Sequence, residues 1–161
     1  MESRSVLLAD AAATAALGRE LALQWLQQCS SSAEPPILLL QGDLGAGKTC
    51  LVQGIASGLG IDEAITSPTF ALAQHYGGQV AGRSTALVHL DLYRLEQPAA
   101  ADELLAQEEE NARELGAVLA VEWPERLSQL PADCWRVELT LLDSTDPERG
   151  RLAVITPPAQ P

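Results

Sequence analysis

An eight-residue glycine-rich segment sets narrow limits on how this chain can fold. Residues 42–49 read Gly-Asp-Leu-Gly-Ala-Gly-Lys-Thr and follow four consecutive apolar residues, 37–40. That apolar run is typical of a buried central strand. Apolar residues at helical spacing come next, namely Leu51, Val52, Ile55 and Leu59. The segment therefore predicts an α/β domain in which a glycine loop joins a strand to a helix.

The chemistry of this loop suits the phosphates of a nucleotide. Gly45, Ala46 and Gly47 would present backbone N–H groups, which glycine-rich backbone brings close to a phosphate beside a helix N-terminus. Lys48 would reach the β and γ phosphates, and the Thr49 hydroxyl would bind Mg²⁺. The alternative is a glycine turn with an incidental lysine. The flanking strand and helix favour a P-loop, and with it an α/β fold of the P-loop NTPase type.

Two further apolar runs each end in a carboxylate. Residues 87–91 end at Asp91, and residues 118–122 end at Glu122. Mg²⁺ at a P-loop takes further oxygen ligands, commonly carboxylates at nearby strand ends. We predict that Glu122 binds the metal, and that Asp91 either supports the metal from its outer shell or positions the attacking water. For each acid alone, a solvent-facing position at a strand end is an equally good interpretation.

The remaining periodicity predicts a single domain with a mixed sheet flanked by helices. Leu17, Leu21 and Trp25 recur every fourth residue, which predicts a helix over residues 11–28. A second, acidic and alanine-rich helix is predicted over residues 97–114, with its six acids on a solvated face. The predicted strands cover residues 5–8, 69–76, 85–92, 117–122, 135–142 and 152–155, with a hairpin link at 77–83. We expect a domain over residues 1–155 and a flexible tail over 156–161.

The charge balance argues against direct binding of nucleic acid. Ten basic residues face 22 acidic ones, giving a net charge of −12. A protein that held RNA or DNA by itself would need lysine and arginine to replace phosphate counterions. The sequence has no apolar run of the ~18 residues that a membrane span requires. Its first residues lack the basic flank and apolar core of a signal peptide, so we expect a cytoplasmic protein.

Several polar residues have a plain structural interpretation. Cys29, Cys50 and Cys134 are an odd number at unrelated spacings, which indicates reduced thiols. His75 and His89 lie among apolar neighbours in predicted strands, which indicates core or edge packing. Residues 67–70, Ser-Pro-Thr-Phe, occupy the position where nucleotide switches place a threonine that senses the γ-phosphate. The residues alone favour a simple Ser-Pro turn there.

Four motifs in order and spacing resemble the TsaE (YjeE) family. They are the glycine loop at 42–49, Ser-Pro-Thr-Phe at 67–70, His-Leu-Asp-Leu-Tyr-Arg-Leu at 89–95 and Val-Glu-Trp-Pro-Glu at 121–125. The resemblance implies a slow P-loop ATPase, with ATP and Mg²⁺ as ligands, that serves bacterial tRNA threonylcarbamoyladenosine synthesis. It also implies a partner complex of TsaB and TsaD, which modifies adenosine 37 and which ATP turnover resets. Contact with tRNA would then fall mainly to those partners.

The resemblance assigns roles to the central residues. It implies that Lys48 and Thr49 contact phosphate and metal, that Glu122 binds the metal, and that Asp91 acts in hydrolysis. It also favours a switch-like role for residues 67–70, with Thr69 taking part in catalysis.

Other positions match the family less closely. Thr14 and Arg151 are similar to positions near the adenine. Cys50 stands where a second threonine is common, at the α-phosphate, and Gln53 replaces a common arginine. Residues 99–116 lack the glycine and aromatic residues usual in the family, which leaves the docking surface for partners undefined.

Two other classes of function are compatible with a P-loop. A small-molecule kinase would carry an arginine-rich lid over the phosphates, whereas residues 97–114 contain one arginine, Arg113, among many acids. A non-catalytic module gated by nucleotide would need no hydrolysis. A GTPase is disfavoured because the single asparagine, Asn111, is followed by alanine rather than by the lysine of a guanine-reading element.

Overall fold

The computed structural model describes residues 3–28, 34–66 and 72–159 of the chain. Within them, three helices accompany a sheet of seven strands. The helices are α1 (Ala11–Gln28), α2 (Lys48–Gly58) and α3 (Pro98–Leu115). The strands are β1 (Arg4–Leu8), β2 (Ile37–Gln41), β3 (Ala73–Val80), β4 (Arg83–Asp91), β5 (Val118–Glu122), β6 (Trp135–Leu141) and β7 (Arg151–Thr156). One-turn 3₁₀ helices cover Pro124–Arg126 and Pro147–Arg149.

The sheet is mixed, as predicted, and its parallel centre positions the site. The strand order is β1-β7-β6-β2-β5-β4-β3. Strands β6, β2, β5 and β4 run parallel to one another, while β1, β7 and β3 pair antiparallel with their neighbours. Parallel strands end at the same edge, so the loop after β2 and the last residues of β4 and β5 meet there. Ligands of open α/β sheets bind at that edge.

The core lies on both faces of the sheet because alternate residues of β2 point in opposite directions. Leu38 and Leu40 pack in a cluster with α1 and α2, whereas Leu39 packs in a cluster with α3. All three leucines are fully buried. The predicted apolar run is therefore the central strand of a three-layer α/β domain.

One predicted feature of α3 is wrong in part. Five of its six acids are exposed or partly exposed, but Glu108 is buried. Its Oε2 lies 2.8 Å from Nε2 of His75 on β3. The helix is therefore attached to the sheet edge through an acid that the charge pattern assigned to solvent. His75 itself is about half exposed, in agreement with edge packing.

The hairpin is tighter than predicted. β3 continues to Val80 and β4 starts at Arg83, which leaves a two-residue turn in place of the predicted link over 77–83. Ala81 and Gly82 both have positive φ, 51° and 78°, the backbone that two-residue hairpin turns require. The start of the predicted strand, residues 69–71, lies outside the described residues. At the other end of the chain, β7 runs to Thr156, and the division into a domain and a tail stays a prediction.

No helix within the described ranges combines the length and apolarity needed to cross a bilayer.

Candidate nucleotide site

The glycine loop after β2 forms the floor of a cleft. Gly45 and Gly47 have φ of +84° and +108°, which side chains disfavour, and Gly47 caps the N-terminus of α2. A Cβ on Gly47 would lie 2.5 Å from Nη1 of Arg151, so the backbone there also needs glycine for space. The loop thus brings main-chain N–H groups and the positive end of α2 to one point, which fits a phosphate group.

Lys48 is held against the loop by two contacts. Its Nζ donates a hydrogen bond to the Gly42 carbonyl at 2.6 Å and lies 3.5 Å from the ring centroid of Trp123. The side chain is only 5% exposed. Burial lowers the pKa of Lys48, and the surrounding carboxylates oppose that shift, namely Glu122, Glu125, Asp91 and Asp43. The Lys48 amino group therefore lies in the cleft, next to the place where phosphates would bind.

The two predicted carboxylates lie side by side. Asp91 and Glu122 are direct partners in the register between β4 and β5. Burial raises the pKa of Asp91 and the Glu122 charge adds to this, while the hydrogen bond from the Tyr93 N–H to Asp91 Oδ1 at 3.0 Å lowers it. Oxygen donors of this kind at a P-loop are the ligands that Mg²⁺ takes. The chemistry of Glu122 is compatible with Mg²⁺, and its role as metal ligand, with Asp91 beside it, stays a prediction.

Glu122 has a partner that the sequence pattern did not reveal. The carboxylate is 3% exposed and shares a hydrogen bond with Nε2 of His89, which is fully buried. The other ring nitrogen, Nδ1, has no hydrogen-bond partner among the described residues. The prediction of core packing for His89 is correct for its burial but incomplete. Strand alternation places His89 on the same face as Asp91, and this was the available signal.

The cleft has a volume of about 400 Å³ and unites most of the predicted site. Its lining includes the predicted residues Gly45, Gly47, Lys48, Thr49, Cys50, Asp91 and Glu122. The Cys50 thiol donates to the Ala11 carbonyl at 3.1 Å, so it is oriented by α1. Four further lining residues had no role in the sequence-based prediction, namely Leu44, Tyr93, Arg94 and Trp123. The last three follow one of the two carboxylates within three residues of the chain, which was the signal for them.

Arg151 contacts the loop and Thr14 lies near it, but neither residue lines the cleft. Arg151 is buried, and its Nη1 donates to the Ala46 carbonyl at 2.9 Å. The Thr14 hydroxyl donates to the Asp10 carbonyl at 2.9 Å, and its methyl group lies 3.5 Å from where a Cβ on Gly47 would be. Arg151 therefore supports the loop, and the contacts of both residues with adenine stay predictions. Thr69 and the rest of residues 67–70 lie outside the described residues.

This fold, with its glycine loop between β2 and α2, is that of the P-loop NTPase class. The crystal structure of Bacillus subtilis YdiB is similar in fold, with a TM-score of 0.71 and 24% sequence identity over 98% of this chain and 87% of that one. A model of the family described as "Threonylcarbamoyl adenosine biosynthesis protein TsaE" matches residues 8–150. The chain belongs to the TsaE family.

Curated relatives agree with this assignment. A protein of a Nostoc species is 45% identical over 121 residues, which cover 75% of this chain and 70% of the relative. One from a Synechocystis species is 50% identical over 113 residues, 68% of each chain. A third, from Bacillus subtilis, is 36% identical over 114 residues, 70% of this chain and 65% of the relative. All three carry the name "tRNA threonylcarbamoyladenosine biosynthesis protein TsaE".

Proposed function

We propose that this chain is the ATP-binding and ATP-hydrolysing subunit required for threonylcarbamoyl modification of tRNA adenosine 37, acting with TsaB–TsaD. The observation that carries the proposal is one cleft, in a TsaE-family chain, that combines a P-loop with a buried lysine and two adjacent carboxylates. These are the parts that phosphoryl transfer to water requires.

Each part of the cleft has a role in binding the nucleotide. The main-chain N–H groups of Gly45 and Gly47 and the N-terminus of α2 would hold the phosphates. The Ala46 N–H donates to the Asp43 carbonyl at 3.0 Å and would exchange that contact to join them. Lys48 would exchange the Gly42 carbonyl and the Trp123 ring for the β and γ phosphates. Thr49 and Glu122 would hold Mg²⁺, which when bound supplies positive charge to neutralise the phosphate oxygens.

Asp91 would position the attacking water through a hydrogen bond that its carboxylate accepts. The water oxygen forms a bond to the terminal phosphorus as the bond from that phosphorus to the ADP oxygen breaks. The products are ADP and dihydrogen phosphate, which carries both protons of the water and can then release one of them to solvent. His89 would keep Glu122 oriented through their buried hydrogen bond.

The net charge favours an indirect relation to tRNA. At −12 the chain repels a polyanion overall, and the positive charge of the cleft is local. Partner proteins would therefore make most of the contacts with tRNA, and the protein would work in the cytoplasm beside them.

The kinase alternative has less support. α3 covers the region where a lid was considered, and it packs against the sheet through Ala101, Leu105 and Ala112. Its single arginine, Arg113, forms an ion pair with Glu34 at 3.4 Å, outside the lining of the cleft. An arginine-rich lid over the phosphates has no counterpart in this helix.

The proposal is tested by measuring ATP hydrolysis by the purified protein, alone and with TsaB–TsaD from the same source. We expect the partners to stimulate turnover and Asp91→Ala to lower it by about 100-fold or more, the usual scale for losing a group that positions a reacting proton. Asp62→Ala, at an exposed site outside the cleft lining, is the matched control and should behave as wild type. Turnover indifferent to the partners, or phosphate transfer to an added small metabolite, would contradict the proposal.

A further inference from the structure

The turn after β4 holds its residues in a defined position at the rim of the cleft. Leu92 is fully buried, and its N–H donates to the Glu122 carbonyl at 3.1 Å. The Leu95 N–H donates back to the Leu92 carbonyl at 3.0 Å, which closes a turn over residues 92–95. The Tyr93 N–H is bonded to Asp91. Three hydrogen bonds therefore fix the backbone that carries Arg94.

Arg94 is a cation without a partner in the part of the chain that the structure describes. Its side chain is exposed and lines the cleft, and none of the hydrogen bonds or ion pairs among residues 3–28, 34–66 and 72–159 involves it. The neighbouring Arg126 differs in both respects. Its guanidinium lies 5.4 Å from the Tyr93 ring centroid, and it does not line the cleft.

A bound triphosphate would add negative charge to the cleft, which a second cation beside Lys48 would neutralise. Among the described lining residues, Lys48 and Arg94 are positive while Asp91 and Glu122 are negative. A nucleoside triphosphate adds several negative charges, and its terminal phosphate carries more of them than either of the other two. Lys48 lies in the loop at the start of α2, whereas Arg94 lies in the turn that follows β4 and so lines another part of the cleft. A planar guanidinium also matches the geometry of phosphate oxygens and suits the charge that develops there during transfer.

We propose that Arg94 contacts the terminal phosphate of the bound nucleoside triphosphate and acts as a catalytic arginine supplied by the chain itself. This inference rests on the proposed function, because it assumes that the cleft binds ATP. A residue that contacts only the terminal phosphate distinguishes ATP from ADP, which gives the proposal a readout independent of turnover.

The test is the affinity of Arg94→Gln for two probes, ADP and the non-hydrolysable β,γ-imido analogue of ATP, measured by calorimetry with Mg²⁺ present. We expect the affinity for the ATP analogue to fall about 10- to 100-fold, the range for losing a hydrogen bond between charged groups. The affinity for ADP should change less than about twofold on the same reasoning. Arg126→Gln is the matched control and should leave both affinities unchanged.

The outcomes separate this inference from the function on which it rests. If wild type binds both probes and Arg94→Gln keeps the same ratio of affinities, the role of Arg94 is refuted and the nucleotide site stands. If Arg94→Gln weakens both probes equally, the residue supports the fold of the site and does not contact the terminal phosphate. If wild type binds neither probe, the proposed function and the inference both fail.

Discussion

At the scale of single residues, the cleft keeps its two buried charged residues paired with other protein groups. Lys48 is bonded to the Gly42 carbonyl and lies over the Trp123 ring, while Glu122 is bonded to His89. Such contacts reduce the cost of keeping buried charges until phosphates and metal arrive. The contacts of Lys48 would also be exchanged for contacts with phosphate when a nucleotide binds. The affinity for the nucleotide therefore depends on both sets of contacts.

Glu122→Gln isolates the role of the carboxylate in holding the metal. Glutamine has the same shape and keeps a hydrogen bond to His89, but it lacks the negative charge that Mg²⁺ prefers. We expect turnover at limiting Mg²⁺ to fall by about 100-fold, while ATP affinity changes by about threefold or less, because the metal acts mostly on the charge formed during transfer. A titration of turnover against Mg²⁺ measures this effect. If Glu122→Gln kept the turnover of wild type at limiting Mg²⁺, another group would hold the metal.

The sequence predicted the positions of some site residues and not of others, because different features determine those positions. Lys48, Asp91 and Glu122 were predictable because a motif and two strand ends fix where they lie. The contact of Trp123 with Lys48 was not, since it depends on a left-handed backbone at Trp123, with φ of 59°. No pattern of residue types in the sequence predicts that backbone conformation. Arg94 belonged to a recognised motif, but only the turn that carries it shows that it faces the cleft.

At the scale of elements, α1 and α2 approach each other so closely that their backbones touch. A Cβ on Gly54 of α2 would lie 2.0 Å from the Ala15 carbonyl oxygen, and one on Gly18 of α1 would lie 2.3 Å from the Leu51 carbonyl oxygen. Because α2 begins at Lys48, this close contact sets the direction from which the helix meets the phosphates. Packing of the two helices and geometry of the loop are therefore coupled.

Gly54→Ala should separate these helices. The added methyl group meets backbone atoms, which cannot rotate away, so we expect the free energy of unfolding to fall by about 2 kcal/mol or more. Denaturant unfolding monitored by circular dichroism measures this change. Ser57→Ala, at an exposed position of the same helix, is the control and should alter stability by about 0.5 kcal/mol or less. Equal stabilities for the two variants would show that the helices adjust at little cost.

The elements also show why one part of the fold was mispredicted. The bounds predicted for α1 match the structure because three large apolar residues mark one face of a regular helix. The hairpin was misjudged because Gly77 and Gly78 resemble turn residues, yet they lie inside β3. A Cβ on Gly78 would lie 2.6 Å from the Gly60 carbonyl oxygen, so this glycine serves close packing against the end of the P-loop helix rather than a turn. Close approach between distant segments is not visible in a local pattern.

At the scale of the whole molecule, this strongly acidic protein has three of its ten basic residues at the glycine loop and its cleft. Lys48 is the single lysine of the sequence, and it lies in the cleft with Arg94, while Arg151 supports the loop beneath. The net charge of −12 and the TsaE family together favour a protein that handles a nucleotide itself and reaches tRNA through partners. Composition alone argues against direct RNA binding, but only the family assignment connects the chain to tRNA modification.

The decisive measurement is the affinity of Mg²⁺–ATP for wild type and Lys48→Ala by isothermal titration calorimetry. Arg19→Ala, which removes the same charge from an exposed position on α1, is the control. We predict that wild type and Arg19→Ala bind ATP alike, and that Lys48→Ala binds at least about tenfold more weakly because the phosphates lose the cation of the loop. Equal affinities for all three proteins, or no binding by wild type, would contradict the assignment of this cleft as a nucleotide site.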